Sequence, residues 1–196
     1  MDAIYDTRPG DTAPGEAAQR ILLVMLPGAR DTPQDLVRHG FVRAVRERGL
    51  PVDVIAADAH TDYYIEQQVI ERLAADIVTP ARARGYSRIW LMGISLGGLD
   101  RWQPGDIKPD DDERALMAWL KNYRADDASL PGIYLGYGTD DRFAPASELL
   151  AARLPAGQVA TVKGGHNWDA WMALWNKLLD RGLFSTGHRK SRQAVD

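Results

Sequence analysis

The chain has 196 residues, 45% of them hydrophobic and 26% charged, with a formal net charge of -3. This is the size and composition of one globular domain, and the slight negative balance offers no electrostatic attraction to nucleic acid or an anionic membrane. Cysteine is absent, which excludes disulfides, thiolate metal sites and a cysteine nucleophile, and no apolar run is long enough to span a bilayer. A cytoplasmic location is the default expectation.

Residues 1–18 carry acids, prolines and glycines, and are expected to be irregular rather than a secretory leader. Ile21–Leu26 (ILLVML) reads as a buried strand ending at Pro27-Gly28. Thr32-Pro33 signals a helix start, and Val37, Phe41 and Val45 follow on one face until Gly49. Val52–Ala57 is a second strand, and Ile65, Val69, Leu73 and Ile77 form another four-spaced stripe before Pro80. Arg88–Met92 is a third strand. Trp102–Pro109 should be loop and Asp110–Asn122 a helix with Asp110 and Glu113 in capping-box positions. Ile133–Tyr137 and Val159–Lys163 read as strands, Pro145–Leu154 and Trp168–Leu179 as helices, and residues 187–196 as a polar disordered tail. Strands alternating with helices imply one α/β domain over residues 1–196, with a mostly parallel sheet of about five strands flanked by helices.

The strongest local signal is Gly93-Ile94-Ser95-Leu96-Gly97, a G-x-S-x-G pattern directly after a strand. A sharp strand-to-helix turn strains the central residue and lifts its hydroxyl clear of the backbone, and glycine neighbours keep that turn free of collisions. Serine needs a base to take its proton. Of four histidines, His39 lies in a helix, His60 follows the second strand and His188 is in the tail. His166, on the loop Gly164-Gly165-His166-Asn167, is the candidate base. A third group must hold the imidazole, and Asp140 and Asp141 both follow the fourth strand.

With these motifs the chain resembles the α/β-hydrolase superfamily, in the order Ser…Asp…His, from Ile21 to Leu183. The resemblance implies Asp141 as the acid, from the G-x-x-D turn Gly138-Thr139-Asp140-Asp141, with Asp140 as the alternative. It also implies an oxyanion hole from the N–H groups of Leu96 and Ala29, the latter in a turn where proline stands in place of the superfamily's histidine. The expected activity is hydrolysis of a carboxylic ester or related acyl compound, with no cofactor or metal, a small-molecule acyl substrate, and no nucleic-acid or membrane partner. Oligomeric state is not readable. One stretch departs from the pattern. Between Ser95 and Asp141 the chain is short of one helix and one strand, so the strand before Asp141 could pair directly with the elbow strand, shifting the acid by about 4.8 Å. A missing helix would also bare one sheet face, and a non-catalytic binding protein is the alternative expectation. Asp110–Glu113 and His60-Thr61-Asp62 lack metal-ligand spacing, and Trp168, Trp171 and Trp175 read as a core stripe.

Overall fold

The computed structural model describes residues 1–8, 20–66, 68–95, 118–120, 122–127 and 129–184. The expectations for Trp102–Pro109, for residues 110–117 and 121 of the Asp110–Asn122 helix, for Leu96 and for the tail lie outside them.

The apolar run Ile21–Leu26 forms β2, the centre of a four-stranded sheet in the order β1-β3-β2-β4. Its neighbours β3 (Val52–Ala57) and β4 (Arg88–Gly93) both run parallel to it, with Leu23 opposite Val54 on one side and Trp90 on the other. A strand enclosed on both edges and both faces has no polar side, which explains why β2 and β3 are continuous apolar runs interrupted only by Asp53. β1 (Ala3–Asp6) adds to β3 in antiparallel sense, in a region expected to be irregular. Four residues of mixed exposure carry no strand signature. Backbone pairing to β3 creates this element, and Arg46 secures it by donating to the Asp6 carbonyl and carboxylate.

Ile21, Leu23 and Met25 face a layer built from α1 (Pro33–Arg38), α2 (Phe41–Glu47) and the long C-terminal helix. Leu22 and Val24 face the opposite layer. That second layer runs through α3 (Thr61–Ile65), α4 (Val69–Leu73), a π-helical turn (Ala74–Val78) and α5 (Thr79–Ala83). Two helical expectations change here. Gly40, at φ 87, breaks the first helix in two, so Val37 is 44% exposed while Phe41 and Val45 are buried. Pro80 does not end the second helix. The wide turn ahead of it absorbs the hydrogen bond that proline cannot donate, and the helix continues to Ala83.

The chain resumes with β5 (Leu135–Gly138), α6 (Ala144–Ala151), β6 (Val159–Val162) and α7 (Trp168–Leu179). β5 and β6 pair in parallel as a separate two-stranded sheet. Among the described residues β5 does not pair with β4, contrary to the direct pairing that the shortened interval allowed. Side chains bridge the two sheets instead. Trp90 of β4 meets Tyr134 at 5.8 Å between ring centroids and Phe184, after α7, at 5.3 Å. Trp175 of α7 donates its indole N–H to the Phe41 carbonyl at 3.1 Å. On the opposite sheet face Leu91 of β4 is 54% exposed. No helix among the described residues is long and apolar enough to cross a membrane.

Candidate active site

The strand order reverses about β2, because the chain goes from β2 to β3 on one side and returns past it to β4 on the other. The carboxyl ends of strands on either side of such a reversal are where open α/β sheets place a crevice. Ser95 leaves β4 there. The Ile94 N–H still pairs with the Leu26 carbonyl at 3.2 Å, extending the ladder one residue beyond the strand. Ser95 then turns to φ 56, which with Arg30 (φ 69) makes it one of two non-glycine residues of positive φ among those described. That left-handed conformation costs a residue with a Cβ on the order of 1–3 kcal/mol.

Of the glycines around this turn, Gly93 and Gly28 lie among the described residues, and Gly28 is the one packed against it. A Cβ on Gly93 would meet nothing within 4 Å among the described residues. On Gly28, across the crevice, it would stand 3.3 Å from Ser95 Cβ and 3.6 Å from the Ile94 carbonyl oxygen. The β2 turn thus approaches the elbow so closely that a side chain at position 28 would press on Ser95. Ala29 follows it, exposed at the crevice, its N–H donating to no described acceptor.

The second sheet supplies two more groups. Gly138 and Gly164 end β5 and follow β6, and a Cβ on Gly138 would lie 2.2 Å from the Gly164 carbonyl oxygen. The loops close through Thr139 N–H to Val162 O (2.8 Å) and Asp140 N–H to Gly164 O (3.0 Å). Asp140 spends its backbone on this closure and its side chain is exposed. Asp141 points inward, its carboxylate 9% exposed, with Oδ1 accepting from the Phe143 N–H at 2.9 Å. Its Oδ2 lies 2.8 Å from His166 Nδ1, and His166 Nε2 lies 2.7 Å from Ser95 Oγ. With its proton on Nδ1, the imidazole donates to Asp141 and accepts from the serine hydroxyl. The structure therefore brings Ser95, His166 and Asp141 into one hydrogen-bonded chain and leaves Asp140 outside it.

Two aromatic residues hold the imidazole edge-on, Phe143 and Trp171, each with its ring centroid 4.9 Å away. The tryptophan stripe of α7 is divided in use. Trp175 is core, Trp171 touches His166, and Trp168 stacks on His39 at 4.1 Å. Helical spacing alone does not separate these roles, because which part of α7 passes the crevice depends on how it docks. Asp31, also at the crevice, has no signal in the sequence beyond lying three residues after Gly28.

No protein-family model matches the chain, and no curated protein sequence is significantly similar to it. Solved structures are similar to it in fold. A ferulic acid esterase superposes with a TM-score of 0.54 at 15% identity, over 82% of this chain and 84% of the other. A predicted CIB-like hydrolase from Thermoplasma acidophilum gives 0.51 at 18% identity, over 85% and 88%. The fluorophosphonate-binding serine hydrolase F of Staphylococcus aureus gives 0.55 at 14%, over 91% and 90%. A parallel strand order that reverses about β2, helices on both faces and these likenesses give this chain an α/β-hydrolase fold.

Proposed function

We propose that the protein is a serine hydrolase that cleaves a carboxylic ester or related acyl compound through an acyl-enzyme. The observation that carries this reading is the unbroken chain from Ser95 Oγ through His166 to Asp141, at 2.7 and 2.8 Å. His166 takes the hydroxyl proton as Ser95 attacks the acyl carbon, and Asp141 stabilises the imidazolium that results. The Ala29 N–H and that of Leu96, which lies outside the described residues, are assigned to the developing oxyanion; one such donor is typically worth about 3–4 kcal/mol. His166 then protonates the leaving oxygen as the acyl–oxygen bond breaks, and activates the water that releases the acid. The structural neighbours named as esterase and hydrolase support the same class of reaction.

A second reading, a binding protein that retains the triad without turning over, draws on the exposed Leu91 and the unjoined β4 and β5. Treatment of the purified protein with a fluorophosphonate separates the two. A stoichiometric adduct on Ser95, absent in Ser95→Ala and slowed at least a hundredfold in His166→Ala, is the expected result. No adduct in a folded sample would remove the hydrolase reading.

A further inference from the structure

The turn after β2 holds a carboxylate that the relay of Ser95, His166 and Asp141 does not use. Asp31 folds back over Gly28, so that a Cβ built on Gly28 would stand 2.7 Å from Asp31 Oδ2 and 3.3 Å from Ser95 Cβ. Carboxylate and nucleophile flank the same glycine across the crevice. The neighbouring Asp35 is engaged, accepting from the Thr32 N–H and hydroxyl and pairing with Arg38. Asp31 has no such partner: no side-chain hydrogen bond or ion pair satisfies it among the described residues.

The surroundings of Asp31 bear on its charge. Partial burial raises its pKa and the Asp35 charge adds to this, while His39 and His166 pull it down. Those two imidazoles end a row of rings. His39 stacks on Trp168 at 4.1 Å, Trp168 meets Trp171 at 5.2 Å, and Trp171 meets His166 at 4.9 Å. A carboxylate with no partner among the described residues, within electrostatic reach of the two imidazoles that end this aromatic row, supplies with it the two elements that hold an organic cation, an ion pair and ring quadrupoles. For a neutral or anionic substrate the same carboxylate opposes the developing oxyanion. At a separation of about 6 Å, one unit charge changes an equilibrium by roughly 3-fold in bulk water and roughly 100-fold at an effective dielectric of 20.

We propose that Asp31 determines the substrate class of this site: acyl compounds that carry an ammonium group near the reacting carbonyl, with the Trp168–Trp171 rings as its apolar wall. The inference deepens the hydrolase reading and rests on Ser95 as the reacting group. Its test is a binding measurement that needs no turnover. The Ser95→Ala chain is titrated with acetylcholine and with 3,3-dimethylbutyl acetate, which has the same shape and no charge, by calorimetry or tryptophan fluorescence. About tenfold tighter binding of the cation, falling to near parity in Ser95→Ala/Asp31→Asn, is expected. Equal affinity for the two esters, no saturable binding of the cation, or a preference that survives Asp31→Asn would overturn it. Fluorophosphonate labelling of the unaltered chain runs alongside. A labelled Ser95 with no charge preference removes the role of Asp31 alone. A charge preference lost in Asp31→Asn without labelling keeps the cation site and removes the hydrolase reading.

Discussion

Ser95 carries its strain at one dihedral, and this makes the elbow testable apart from its chemistry. At φ 56 a side chain costs about 1–2 kcal/mol relative to glycine. Ser95→Gly should therefore be more stable than Ser95→Ala by about 1 kcal/mol in urea unfolding, although neither can be labelled. The acid is tested by a pair of substitutions. Asp141→Asn keeps the side-chain shape but replaces one acceptor oxygen by an NH2 donor and removes the charge that favours the productive imidazole, and should slow fluorophosphonate labelling by on the order of 10³–10⁴. Asp140→Asn, at an exposed side chain, should leave the labelling rate within a few-fold. Stopped-time labelling followed by peptide mass measures both. The carboxylates are adjacent and alike in the sequence, where Asp141 emerged only through the superfamily pattern. What separates them in space is the β5–β6 loop closure, which uses the Asp140 N–H and turns Asp141 toward His166.

At the scale of elements, α7 does two jobs along one face. Asn167 caps it through the Ala170 N–H, its first turn holds His166 through Trp171, and Trp175 reaches across to Phe41. Trp175→Ala should cost about 3–5 kcal/mol, as removal of a buried indole does. It should also slow labelling of Ser95 in the folded fraction, because the helix that loses its anchor supports the imidazole. Chemical denaturation and labelling rate on the same preparation check both effects. Legibility follows packing at this scale. β2, β3 and α7 have the bounds read from their apolar patterns, since burial there matches local preference. The first helix does not, because Gly40 takes a left-handed conformation that a four-residue stripe cannot register.

Across the whole molecule the candidate site is divided between two sheets: Ser95 and Ala29 follow strands of the four-stranded sheet, Asp141 and His166 strands of the two-stranded one. No strand joins them among the described residues, so Trp90, Tyr134, Phe184 and Trp175 set the spacing. The four-stranded sheet has its own polar lock in Asp53, buried in β3. It accepts from the Arg8 N–H at 2.9 Å, from Tyr86 at 2.7 Å and from Arg20 at 3.2 Å, tying three chain segments to one strand. Burial raises the Asp53 pKa, but these hydrogen bonds and the Arg8 charge outweigh it and the net shift is downward. A depressed folded pKa contributes stability above the unfolded carboxylate value, near 4, and that contribution is lost as pH falls through the folded value. Tyr86 is pushed the other way, to about 12, first by burial and then by Asp53. Its contribution is present below about pH 10 and is lost as pH rises from there to about 12. Urea unfolding across pH should show both limbs. Asp53→Asn should flatten the acid limb and cost about 3 kcal/mol at neutral pH by removing the carboxylate that pairs with Arg8 and Arg20.

The sequence by itself determined the α/β alternation, the strands β2 and β3, the final helix, and the serine and histidine singled out as nucleophile and base. These are properties of short contiguous stretches, where periodicity and turn chemistry act over a few residues. Only the tertiary structure decided that β1 exists, that Gly28 packs against the elbow, that Asp141 reaches the imidazole across an unpaired junction, and that Asp31 and Ser95 flank the same glycine. Each of these depends on where one backbone passes another, a distance between segments remote in the chain that no local pattern encodes.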